Sequence, residues 1–230
     1  MTTVNREMWV SEIVKDIPKS ADIFRKNRID YCCGGKMPIS QAVEERGLDL
    51  EGMLEEINNI ERHEEAGIQP KYLDEKGIVK FIQNRYHQEL MDEFAALTPY
   101  VTKLARKHGP NEPHLVRIQE LYKTLKNEMI EHTEDEDHNV FPMIIEFMEN
   151  PTPELAEKVR PHVSELEGEH EAVGDILKEI RDITSDFTPH ANACGTYKLV
   201  YARLEKLEKD TFDHVHLENH ELFERVRKAI

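Results

Sequence analysis

Four stretches of this chain, each about 30 residues long, place apolar side chains at gaps of three and four along one helical stripe. They run from about 75 to 107, 113 to 148, 153 to 184 and 196 to the C-terminus. His108-Gly109-Pro110, Asn150-Pro151 and the loop over 185–195 separate them. Stripes of that period must be buried against other helices, and short connections make sequential helices antiparallel neighbours. Gly and Pro number only 10 and 11 in 230 residues, and alternating apolar–polar runs are hard to find. The fold predicted is all-α, with an up-down-up-down four-helix bundle over 75–230.

A smaller helical unit is expected ahead of the bundle, over 1–62. Pro18 suits the first turn of a helix through Phe24. Ser40 can cap a second helix, and Asp49 a third that carries Leu54, Ile57 and Ile60. Between them lies the loop Asp30-Tyr31-Cys32-Cys33-Gly34-Gly35-Lys36. A linker is expected over 63–74, where Gly67 and Pro70 interrupt the period.

Charge narrows the partners. The formal net charge is -16, which repels phosphate backbones and argues against nucleic acid. No run of 18 apolar residues offers a membrane span. The N-terminal stretch MTTVNREMWVSEIV lacks an apolar signal core, so the expected location is cytoplasmic. The three cysteines, Cys32, Cys33 and Cys194, are too few for a disulfide framework. Monomer and homodimer are both compatible with the sequence.

The stripes carry more than apolar residues. Residues 132–141 and 214–223 both read H-x3-E-x-H-x-[VL]-F. The second stripe runs Ile118, Tyr122, Leu125, Met129, His132, Glu136, Val140, Met143, Phe147. The fourth runs Val200, Leu204, Leu207, Thr211, His214, Glu218, Leu222. A His and a Glu four residues apart share a helix face, so both pairs point inward. The first stripe adds His87 and the third adds His170. At roughly 1.5 Å per residue, all six fall in one layer about 18–26 Å from the same end of the bundle.

A single stripe histidine is ordinarily a core residue satisfied by a hydrogen bond. Four histidines and two carboxylates in one layer are different, because buried ionised carboxylates need counter-charge. Two dications supply it. An imidazole and carboxylate set without thiolate suits iron, with manganese and zinc as rivals. Glu169, beside His170, can turn inward as a supporting group or alternate ligand, or stay solvated.

The remaining histidines are expected elsewhere. His138 and His220 lie two residues past the Glu, about 200° around the helix, and His216 is also off the stripe, so all three are assigned to the outer surface. His63, His108, His114, His162 and His190 fall in linkers, at helix ends or off the stripe. Cys32 and Cys33, followed by Gly34-Gly35, read either as two small buried apolar residues or as a redox pair or transient ligand for iron or nitric oxide. Cys194 is expected to have no partner.

Taken with their order, these segments resemble the di-iron repair-of-iron-centres family, of the YtfE/ScdA type, over nearly the whole chain. Phe24-Arg25-Lys26 and the Asp30–Lys36 loop are similar to its ScdA N-terminal domain. Arg85-Tyr86-His87, His132-x3-Glu136 with Phe141-Pro142-Met143, Glu169-His170 and His214-x3-Glu218-Asn219 are similar to its haemerythrin-like domain. The resemblance implies two non-haem iron ions (Fe2+/Fe3+) per chain, oxo- and carboxylate-bridged. His87, His132, His170 and His214 would be terminal ligands, and Glu136 and Glu218 the bridges. It implies repair of iron–sulfur proteins damaged by nitrosative or oxidative stress, and reduction of nitric oxide. Glu169, Cys32 and Cys33 are the candidate catalytic residues read from their positions. A haemerythrin-like protein that binds or senses dioxygen or iron without turnover is the alternative; a structural zinc or manganese bundle is a third.

Overall fold

The structure, a computed structural model, describes residues 3–60 and 69–230. The end of the expected N-terminal unit at 61–62, and the expected linker over 63–68 with His63, lie outside the described residues. Four short helices come first: α1 (Val10–Asp16), α2 (Ser20–Lys26), α3 (Ile39–Glu45) and α4 (Leu50–Asn58). Asp49 caps α4 by accepting the Glu51 amide, as the sequence suggests. Two starts differ from expectation. Pro18 belongs to the turn that enters α2, which begins at Ser20. α3 begins at Ile39 and not behind Ser40, because Pro38 ends the loop and the first amides of the helix are taken up by backbone carbonyls, Ile39 N–H by Met8 O at 2.9 Å and Ser40 N–H by Arg6 O at 3.2 Å.

The four long patterns form the bundle, three of them with an interruption. Asp74 caps α5 (Glu75–Ile82) through the Gly77 amide at 2.7 Å. The helix then passes through a π-turn, Gln83–His87, into α6 (Gln88–His108). α7 (His114–Asp135) passes through a π-turn, Glu136–Val140, into α8 (Phe141–Glu149). α9 (Pro153–Ile183), capped by Thr152, is unbroken. α10 (Gly195–Leu217) continues through a π-turn, Glu218–Leu222, into α11 (Phe223–Ala229). α6 packs on α7 and α10, and α9 packs on the same two, the neighbour order of an up-down-up-down bundle. No described helix is long and apolar enough to cross a membrane.

The stripes are buried much as periodicity requires, including Phe94, Leu97, Leu125, Met129, Val173, Leu177, Leu204 and Leu207. The π-turn at Glu136–Val140 inserts a residue and shifts the register beyond it. Phe141 and Ile144 are therefore buried, and Met143 only partly. The core divides into two apolar clusters along the bundle axis. One is formed by α5, α8, α11 and the first half of α9, and the other by the rest of the bundle. The latter is continuous with the core of α1–α4, through Ile13, Phe24, Tyr31 and Ile39.

Charged groups fix that docking. Arg181, at the end of α9, donates to Glu208 on α10 through Nε at 2.7 Å and through Nη2, and Glu208 is fully buried. Arg25 of α2 stands 3.7 Å from the same carboxylate. Ser185, Asp186 and Phe187 come next, in the left-handed region (φ 52, 55 and 54). They bring Asp186 to Arg181 at 3.0 Å and to Arg28 at 2.9 Å. Removing one member of a buried pair leaves an uncompensated charge. Arg181→Met is therefore expected to lower stability by about 3 kcal/mol in urea unfolding, and the additional change Glu208→Leu to restore most of it.

Candidate metal centre

Six side chains meet between the two apolar clusters: His87, His132, Glu136, His170, His214 and Glu218, each at most 4% exposed. They form two overlapping groups. His87 and His214 share Glu136 and Glu218 with His132 and His170, and in each group the donor atoms lie within 4.8 Å of one another. Nε2 of His87 and Nε2 of His214 are 3.1 Å apart, and those of His132 and His170 3.0 Å. Glu136 Oε2 is 3.3 Å from His87 Nε2 and 3.3 Å from His132 Nε2. Glu218 places Oε1 2.7 Å from His214 Nε2 and Oε2 3.3 Å from His170 Nε2. Each carboxylate thus faces both histidine pairs.

Two observations fit this layer to cations. Both oxygens of Glu136 and Oε2 of Glu218 are buried without a hydrogen-bond partner among the described residues, and a buried orphaned carboxylate is severely unfavourable. Second, His132 and His170 both use Nδ1 as a donor, so their Nε2 lone pairs confront each other at 3.0 Å. A cation or a proton must sit between them. With metal–nitrogen bonds of about 2.1 Å, adjacent ligands of an octahedral ion stand about 3.0 Å apart, so the nitrogens already have the spacing of neighbouring ligands.

The supporting contacts explain the doubled motif. The residue after each Glu holds a histidine on the neighbouring helix. Asp137 accepts His87 Nδ1–H at 2.9 Å, and Asn219 accepts His170 Nδ1–H at 2.9 Å. The closing Phe of each motif lies flat on that same ring: Phe141 on His87 at 5.8 Å and 12°, Phe223 on His170 at 6.2 Å and 6°. Both π-turns coincide with the motif's E-x-H-x-[VL] segment. π-turns recur at functional sites because the inserted residue re-aims side chains. Sequence reasoning gave Asp137 no role and named Asn219 only within the family resemblance, although their place directly after the repeated Glu was visible. Of the roles the sequence left open for Glu169, the structure places it as a supporting group and not as a ligand. It is 46% exposed at the side chain and accepts His132 Nδ1–H at 2.7 Å. Tyr86 stacks on His214 at 5.3 Å and 7°. A cavity of about 300 Å³ between α6 and α10 is lined by Arg85, Glu93, Ala96, Arg203, Thr211 and His214 among others.

Two surface assignments are overturned. His216 and His220 are buried, at 8% and 3% exposed. Both lie on the outer face of their helix, as their angle requires, but that face is covered by the Asp30–Lys36 loop. His216 Nδ1–H donates to Tyr31 O at 3.0 Å, His220 Nε2–H to Cys32 O at 2.9 Å, and Asn219 Nδ2–H to Cys32 O at 3.0 Å. Asn219 therefore touches the cysteine loop with one end and His170 with the other. His138, in the equivalent position of the first motif, is exposed. Cys194 also departs from expectation: its sulfur is 3.7 Å from His108 Nε2. Cys32 is buried and Cys33 partly so, with their sulfurs 3.5 Å apart and not bonded. The hydrogen bond to Cys33 and burial push the Cys32 thiol well above its ordinary range.

Residues 82–226 match the family described as the hemerythrin HHE cation binding domain. Residues 6–61 match ScdA_N, described as a domain of unknown function, DUF542. Full-length relatives show both parts together. The chain is 43% identical over 222 residues to the iron-sulfur cluster repair protein ScdA of Staphylococcus haemolyticus, covering 96% of this chain and 99% of that one. It is 40% identical over 225 residues to ScdA of Staphylococcus epidermidis, covering 97% and 99%. It is 32% identical over 222 residues to the iron-sulfur cluster repair protein YtfE of Escherichia coli, covering 96% of each.

In the cation-free protein, burial opposes the charge on His87 and His170. The carboxylates outweigh it: Asp137, Glu136 and Glu218 raise His87 to about 11, and Glu218 and Glu136 raise His170 to about 9. Both are then protonated at neutral pH, and the protons occupy the place of the cations. Loading at pH 7 is expected to release about two protons per chain, read with an indicator dye, and apparent affinity to rise from pH 6.5 to 9. Asn219→Leu is expected to weaken cation binding by about 10–100-fold in chelator competition, with helical content unchanged.

Proposed function

This chain belongs to the ScdA/YtfE family of haemerythrin-type cation-binding proteins, and on that premise we propose that it repairs iron–sulfur clusters by means of a centre of two iron ions. The observation that carries the reading is the pair of buried carboxylates with orphaned oxygens, Glu136 and Glu218, each facing two histidine pairs. His87 and His214 would hold one ion and His132 and His170 the other, with the two carboxylates shared. Six side chains for two ions leave coordination positions free, and iron there supplies redox chemistry and a place for a small molecule.

The chain's own groups prepare those positions. Asp137, Glu169 and Asn219 fix the Nδ1 protons of three rings, so that Nε2 is the donor directed inward. The apolar clusters on both sides exclude water and keep the local dielectric low. The cavity that reaches Thr211 and His214 gives a molecule the size of nitric oxide a way in from α6 and α10. Nitric oxide is the ligand we assign to it, with reduction to nitrous oxide as the accompanying activity.

Metal analysis of protein purified without added metal tests the premise, with about two iron per chain expected; one zinc would sink it. Anaerobic addition of nitric oxide to the reduced protein is then expected to give an iron-nitrosyl spectrum and, after it, nitrous oxide. Reversible uptake of dioxygen with no nitrous oxide would make the protein a carrier or sensor instead.

A further inference from the structure

A second group of donor atoms lies outside the buried layer, in the loop between α2 and α3. Asp30 Oδ1 is 3.4 Å from Cys32 Sγ, which is 3.5 Å from Cys33 Sγ. One donor atom from each of the three lies within 4.8 Å of the others. A tetrahedral dication with bonds of about 2.3 Å to sulfur and about 2.0 Å to oxygen separates two sulfurs by about 3.8 Å and a sulfur from an oxygen by about 3.5 Å. Both spacings made by Cys32 Sγ, to Cys33 Sγ and to Asp30 Oδ1, match these within a few tenths of an ångström.

The arrangement is built by the backbone. Asp30 Oδ1 accepts the amides of Cys32 at 3.1 Å and Cys33 at 2.9 Å. Cys32 O is clamped by Asn219 and His220. Gly35 lets the loop close, since a Cβ there would meet Tyr31 O at 2.6 Å and the Ser11 Cβ at 2.9 Å. The open side faces a shallow cavity of about 220 Å³ lined by Asp30, Cys33, Gly34, Glu171, Asp175 and Lys178. Three carboxylates there face one ammonium. Lys178 Nζ, from a half-exposed side chain, stands 3.0 Å from Asp30 Oδ2.

We propose that Asp30, Cys32 and Cys33 form a second cation site, open on its fourth side, for a thiophilic divalent ion such as Fe2+ or Zn2+. Uptake forms two metal–sulfur bonds and one metal–oxygen bond, releases both thiol protons to solvent, and moves no electrons. Lys178 swings out as the ion enters. A three-ligand site that opens on a cavity through Asp30 and Cys33 can exchange its ion. That makes it a transfer point for iron to or from a damaged cluster, a role that rests on the repair function proposed above; the site itself rests on geometry.

Anaerobic titration of the full-length, iron-loaded protein with Co2+ tests it. One equivalent per chain is expected to give thiolate-to-cobalt charge-transfer absorption. Cys33→Ser is expected to abolish that absorption with iron content unchanged. Lys178→Met, which removes the competing ammonium, is expected to tighten cobalt binding about fivefold. Absence of the absorption in the wild-type protein, or its persistence in Cys33→Ser, would overturn the site. Unchanged or weaker binding in Lys178→Met would remove Asp30 from it. If cobalt binds at the thiols while no iron is found in the buried layer, the repair reading fails and the site stands. If iron loads and no thiolate absorption appears, the site alone fails.

Discussion

Two carboxylates with three orphaned oxygens between them, sealed in the middle of a helical bundle, are the constraint on which the rest of this structure depends. Glu136 and Glu218 are fully buried, and a chain that buried them without counter-charge would not hold together. Everything around them meets that demand. Four imidazoles converge on them, three of these imidazoles are held from behind, and apolar clusters close the layer on both sides. The polar layer interrupts the core where an ordinary bundle would place Leu or Val, and only bound cations or protons make the interruption tolerable.

The doubled segment H-x3-E-x-H-x-[VL]-F is the device that builds the layer. Its His and Glu face inward from one helix. The residue after the Glu and the closing Phe reach across to the next helix and grip its histidine from the edge and the face. Each copy thus supplies two of the six ligating side chains and the support for a histidine from elsewhere. The π-turn inside each copy lets one segment do both, because the inserted residue rotates the C-terminal half of the segment relative to its N-terminal half. The two copies differ in what their second histidine meets. His138 meets solvent, whereas His220 meets the backbone of the cysteine loop, because only α10 is covered there.

That covering joins the two parts of the molecule. The cysteine loop hangs from Asn219, His220 and His216, on the same segment that carries Glu218. The apolar core of α1–α4 runs without a break into that of the bundle. A displacement of the Cys32 carbonyl would be felt by Asn219, and through it by the ring of His170. The thiol pair and the buried layer are thereby mechanically continuous, although no donor atom is common to both.

The sequence by itself determined the helices and the inward residues. Apolar gaps of three and four place Leu97, Leu125 and Leu204 on buried faces, and a His four residues before a Glu must share that face, whatever the chain does elsewhere. Depth along four antiparallel helices then puts His87, His132, Glu136, His170, His214 and Glu218 in one layer, because helical rise is fixed. Tertiary structure decided what periodicity cannot carry. The π-turns break the 3.6-residue period locally, so Phe141 and Ile144 displace Met143 from the core. Asp137 and Asn219 act on neighbouring helices, across contacts that no spacing within one helix encodes. The burial of His216 and His220 was invisible because angle around a helix says which way a side chain points and nothing of what arrives to cover it. Here what arrives is a loop nearly 190 residues away in the chain.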